Sequence, residues 1–65
     1  MNKWVVEVWN LPEGQTQSFK TKKEARAYMK KVVRANDWLG LEKIDSDVYG
    51  NEDYDRVLLR HIDDL

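Results

Sequence analysis

Cysteine is absent from the 65 residues, so neither a disulfide nor a cysteine nucleophile is available. That absence fits a reducing compartment. Long apolar runs are absent too. The longest tract is Trp4-Val5-Val6, which gives neither a signal-type apolar stretch nor a membrane span. The expectation is a soluble, cytoplasmic chain with no membrane partner. Histidine is scarce: His61 is the single copy. A general base needs a positioned partner and a substrate cleft, and neither Ser18 nor Ser46 sits in a nucleophile-elbow motif. The expectation is that the chain is not an enzyme and takes no cofactor.

Length is also short. One domain over 1–65 is the reading, and a domain this small buries only ~60% of the surface its unfolded chain exposes. Without a disulfide, three Trp, three Tyr and one Phe must supply much of the burial. Self-association is the other remedy for a thin core, so a homodimer stays open.

Net charge is small, at -1, but it hides a division. Residues 1–36 carry eight Lys/Arg against three Asp/Glu, or +5, and residues 37–65 carry three against nine, or -6. Either the halves attract each other within the fold, or each faces a partner of opposite sign.

Lys3 to Trp9 alternates, with Trp4, Val6 and Val8 on one face and Lys3, Val5, Glu7 and Trp9 on the other. Period two with β-branched and aromatic residues predicts a strand. Leu11-Pro12-Glu13-Gly14 is turn chemistry. Thr16 to Lys20 reads as the returning strand, with Phe19 joining the face of Trp4, Val6 and Val8. Thr21-Lys22-Lys23-Glu24 then forms a capping box, in which the Thr21 hydroxyl accepts from the Glu24 N–H and the Glu24 carboxylate reaches the Thr21 N–H. Ala25, Tyr28, Met29, Val32 and Val33 follow as a core-facing helical stripe. Asn36 is the expected stop, since Asn tolerates the left-handed conformation.

Beyond the helix, Trp38, Leu39 and Leu41 return apolar weight to the core, and Leu41 to Val48 reads as a third strand with Ile44 and Val48 inward. Laid beside the first strand, it gives the order 2-1-3. The last segment has two readings. As a helix capped by Asn51, it puts Tyr54, Val57, Leu58, His61, Ile62 and Leu65 on one stripe and pairs Glu52 with Arg56. As a strand, Val57 and Leu59 face one way and Leu58 and Ile62 the other. The helix template matches more residues. The expected fold is α+β: an antiparallel sheet of three or four strands packed on one capped amphipathic helix, ββαβ followed by a C-terminal helix or strand.

Two features suit a partner. Lys22, Arg26, Lys30 and Arg34 form a basic row at a spacing of four, flanked by Lys23 and Lys31. Such a row repels itself weakly and attracts phosphates or an acidic surface; otherwise it is a solvated helix face. Val5 and Trp9 fall on the sheet face away from the helix, and Trp is enriched at binding hot spots. A third motif is weaker. Asp45, Asp47, Gly50 and Asp53 match the first, third, sixth and ninth positions of a calcium loop, but Tyr49 and Arg56 stand where ligand oxygens belong. The acidic turn is therefore read as solvated, without a metal.

Lys3-Trp4-Val5-Val6-Glu7-Val8, a glycine-containing turn, Phe19-Lys20-Thr21 and Glu24-Ala25-Arg26-Ala27-Tyr28 together resemble the hairpin and helix of AP2/ERF-type DNA-binding domains. They are also similar to the arm-binding domains of some phage integrases. The resemblance spans residues 3–35 and implies a sheet whose outer face reads bases in the major groove. Two function classes follow. The first is a small non-enzymatic protein-binding module, of the kind phage and mobile elements use as accessory proteins or inhibitors. The alternative is a nucleic-acid-binding domain, using the sheet or the basic helix face.

Overall fold

The computed structural model describes residues 2–64. It is α+β, with one helix on a five-stranded antiparallel sheet: β1 (Trp4–Trp9), β2 (Gln17–Phe19), α1 (Lys22–Ala35), β3 (Glu42–Asp45), β4 (Val48–Gly50) and β5 (Arg56–His61). Short 3-10 turns cover Asp37–Leu39 and Ile62–Asp64. The strand order is β2-β1-β5-β4-β3. The helix carries the chain from the β2 edge to the β3 edge, and β5 then enters the slot between the two hairpins.

The first hairpin matches the alternation. Trp4 lies opposite Phe19, and Val6 opposite Gln17. Val6 is fully buried while its neighbours Val5 and Glu7 on the other face are half-buried. The hairpin loop is held from the helix side. Gly14 adopts φ +101, and a Cβ there would stand 2.9 Å from a Val32 methyl, so only glycine lets the loop lie this close to α1. The Tyr28 hydroxyl donates to the Gln15 carbonyl at 2.9 Å and accepts from the Gln15 N–H at 3.0 Å.

The helix begins as its cap predicts: the Glu24 N–H donates to the Thr21 hydroxyl at 3.2 Å. The return half of the box differs, because the Glu24 carboxylate accepts from the Thr21 hydroxyl at 3.0 Å rather than from its N–H. Ala25, Met29 and Val32 are buried against Val6, Val57 and Leu59. Asn36 ends the helix for a reason other than a left-handed backbone, since its φ is -111. Its side chain is fully buried. Its Nδ2 donates to the carbonyls of Glu13 and Val32, both at 2.8 Å, and its Oδ1 accepts from the Glu13 N–H at 3.2 Å. One side chain thus closes the helix and fastens the β1–β2 loop to it. The left-handed residue that reverses the chain is Gly40, at φ +70.

The second half corrects several expectations. The single strand expected over Leu41 to Val48 is instead a hairpin, broken at Ser46-Asp47, so the sheet has five strands and the pattern is ββαβββ. The strand beside β1 is β5, so the order is not 2-1-3. Ile44 and Val48, expected inward, face outward, because Lys43 and Tyr49 take the helix-facing positions of this hairpin; Ile44 is 55% exposed and packs over Gly50. Trp38 does not join the core either; it is 72% exposed, while Leu39 and Leu41 do pack there.

The C-terminal segment is a strand, not a helix. Leu65, placed on the helical stripe, lies outside the described residues. Val57, Leu58 and Leu59 are all buried, in the strand that lies in the middle of the sheet between β1 and β4. Arg56 makes no pair with Glu52; its guanidinium lies 5.8 Å from the Tyr54 ring. Asn51 caps no helix. Its Oδ1 accepts from the Asp53 and Asp55 N–H groups in the turn before β5.

Candidate functional site

The sheet register sorts every strand residue to a face. Opposed residues in an antiparallel pair share a face. Trp4 with His61, Val6 with Leu59, Val8 with Val57, and Val57 with Tyr49 therefore face α1. Val5 with Arg60, Glu7 with Leu58, Trp9 with Arg56, and Leu58 with Val48 face the other way. His61 sits edge-on to Trp4, with ring centroids 4.7 Å apart, and its Nδ1 accepts from the Asp63 N–H. It is a packed strand residue, and Asp63 Oδ2 lies 3.4 Å from the same nitrogen.

The outer face carries no second layer among the described residues. Val5, Val48, Leu58 and Ile44 place apolar side chains on it from four strands, and Trp9, on the strand of Val5, is 49% exposed; Arg60, Glu7 and Arg56 stand opposite Val5, Leu58 and Trp9. The charges on this face are unevenly satisfied. Arg60 Nε lies 2.8 Å from Glu7 Oε2, yet that buried oxygen accepts no hydrogen bond among the described residues. The N–H is therefore aimed past the oxygen it neutralises. Arg56 has no carboxylate within 4.0 Å among the described residues and rests on Tyr54 instead.

The basic row lies elsewhere. Lys22, Arg26, Lys30 and Arg34 do not point straight away from the core; they occupy the flank of α1 that faces the β3–β4 hairpin. Asp47, in the turn of that hairpin, stands 4.0 Å from Lys22 Nζ and 3.4 Å from Arg26 Nη2. It is the one carboxylate of residues 37–64 in ion-pair contact with the row among the described residues. The Asp45 carboxylate is turned to the Ser46 N–H, and Asp55 accepts from Asn51. The basic row thus meets one carboxylate of the acidic half, and Lys23, Lys30, Lys31, Arg34 and Lys43 keep no ion-pair partner among the described residues.

The helix packs over β1, β2 and β5 and leaves the inner side of the β3–β4 wing open. The result is a groove between helix and wing. One part, of about 220 Å³, is lined by Arg26, Lys30, Lys43, Ser46 and Tyr49 with Met29 at its floor. It continues into a second part lined by Lys30, Arg34 and Asp37.

The six residues singled out from sequence therefore fall on two surfaces of different layers. Val5 and Trp9 are together on the outer sheet face, and Lys22, Arg26, Lys30 and Arg34 are together on the helix flank. Ile44, Val48, Arg56, Leu58 and Arg60 were missed on the first, and Lys43, Ser46 and Tyr49 on the second. Alternation along residues 56–61 would have found Arg56, Leu58 and Arg60 once that segment was taken as a strand. The calcium-like residues are spread along a hairpin: Asp47 pairs with the helix, and Gly50 is a buried strand residue. No group of three or more His, Asp or Glu side chains among the described residues is placed to hold a metal. No helix among them is long and apolar enough to cross a membrane. Compared with family models, curated proteins and solved structures, the chain matches none of them.

Proposed function

We propose that the chain is a small non-enzymatic protein-binding module that docks through the outer face of its sheet. The observation that carries this is an outer sheet face without a second layer that leaves Trp9 49% and Ile44 55% exposed beside the half-buried Val5 and Val48. In a domain built from two layers, a sheet face left bare exposes apolar area that water penalises. These residues stand on strands of one sheet, so they are preorganised, which spares a partner the cost of ordering them. Its charges indicate the partner's chemistry. Arg56 lacks a carboxylate and Arg60 shares one imperfectly, so the complementary surface is apolar with carboxylates at its margin. Trp9 is the expected anchor, because a large rigid aromatic contributes much contact for little lost entropy.

The test is capture by the immobilised chain from a lysate of its source, compared with a Val5→Lys/Trp9→Ala variant and with Trp9→Ala alone. Trp9→Ala should melt near wild type, since Trp9 is outside the core, and the double variant somewhat lower, because a lysine at position 5 stands opposite Arg60; both should remain folded. One protein should be retained by the wild type and lost from the variants. A concentration-dependent shift in size exclusion, abolished by the same changes, would identify that protein as a second copy of the chain. Strict monomers that capture nothing, or capture indifferent to both variants, would refute the reading.

A further inference from the structure

The groove beside α1 is not used by the docking surface just described. Six cations, Lys22, Lys23, Arg26, Lys30, Arg34 and Lys43, lie along the helix flank and the facing wing, with Asp47 and Asp37 as the acids among them. The chain has an excess of acid over base, so this concentration is segregation rather than overall composition. Nine of its carboxylates follow the helix, and the fold brings one of them into contact with the row. A row of like charges at a spacing of four is mildly unfavourable in a helix. Here Lys43 from the opposite wall adds to that repulsion instead of relieving it. The Ser46 and Tyr49 side chains line the same part of the groove. Converging cations and hydroxyl donors suit a chain of phosphates.

The geometry narrows the ligand further. From Lys22 to Arg34 the row runs for about 18 Å at 1.5 Å per residue, the length of about five base-pair steps along a duplex axis at about 3.4 Å each. Trp9 and Trp38, the tryptophans with the most exposure, do not line this groove, and Tyr49 is half-buried against the core. An unstacked strand would want an aromatic platform here. We propose that the groove between α1 and the β3–β4 hairpin binds the phosphate backbone of duplex nucleic acid, with Lys30, Arg34 and Lys43 as the principal contacts and no reading of base sequence.

The test is fluorescence anisotropy with a labelled twenty-base-pair DNA duplex across a salt series, using the full chain. Three engaged phosphates predict a slope of log K against log salt of about -3, or a loss of roughly 40-fold in affinity between 50 and 200 mM salt. Lys43→Ala and Lys30→Ala should each flatten the slope by about one. Lys31→Ala removes the same charge from the other flank of the helix and should leave slope and affinity unchanged. The same oligonucleotide as a single strand should bind more weakly, and polyglutamate should not compete. The proposal is overturned by no binding at low salt, by Lys31→Ala matching Lys43→Ala, by equal or tighter binding of the single strand, or by competition from polyglutamate. Protein capture through Trp9 should survive Lys43→Ala, so the failure of either surface is separable from failure of the other.

Discussion

Replacing Asn36 with alanine is expected to remove most of the stability of the fold. The change strands the Glu13 N–H and the Glu13 carbonyl, both bonded to this one fully buried side chain, and takes one of two donors from the Val32 carbonyl, which keeps the Asn36 N–H at 3.1 Å. Leaving buried polar groups unsatisfied costs about 1–3 kcal/mol for each group that water cannot reach. The helix also loses its terminal fastening to the β1–β2 loop. A loss of about 2–4 kcal/mol is expected, against a total of about 3–5 kcal/mol for a single core of this size. Urea denaturation followed by circular dichroism measures it. Asn36→Asp makes the cause specific. It keeps the shape but replaces two donors with an oxygen facing two carbonyls, so it should destabilise at least as much. Near-wild-type stability of Asn36→Asp would mean that shape, not donation, matters there.

Leu59→Ala is expected to cost about 2–4 kcal/mol, the range for truncating a leucine enclosed on all sides. Leu59 packs in the core formed by Val6, Ala25, Met29 and Val57. Leu58 is nearly as inaccessible, at 9% against 7%, but it lies on the sheet face that carries no second layer. A cavity there is open to water, so Leu58→Ala should cost less, about 1–2 kcal/mol. The pair is compared by midpoint and slope in urea. Equal losses would mean that the outer face is already packed as a core, which the register does not support.

The first thirty-six residues were legible because local rules agreed there. Alternation placed Trp4, Val6 and Val8 inward, and Phe19 joined them. The Thr21 cap and the stripe through Met29 and Val32 marked the helix and its buried face. Asn36 was legible as a boundary but not as a hub, because its partners Glu13 and Val32 meet it through tertiary structure. The second half was misread where two periodicities coincided. Tyr54, Val57, Leu58, His61 and Ile62 satisfy a helical stripe, yet the short run Val57-Leu58-Leu59 also fits a strand in the middle of a sheet. Ile44 and Val48 were assigned to the wrong face because alternation alone does not say which side meets the helix, and Lys43 and Tyr49 take that side. The basic row was visible in sequence, but the groove was not. Lys43 and Tyr49 reach it because the β3–β4 hairpin folds back beside α1.

The central claim is that the bare sheet face, and not another surface, receives a protein partner. Three tryptophans supply separate reporters: Trp4 against His61 on the helix side, Trp9 on the outer face, and Trp38 in the turn after the helix. The direct measurement is the set of indole N–H resonances of the labelled chain as the captured protein is added. The Trp9 resonance should move or broaden while those of Trp4 and Trp38 hold their positions. An unmoved Trp9 with a shifted Trp38 or Trp4 would contradict the account.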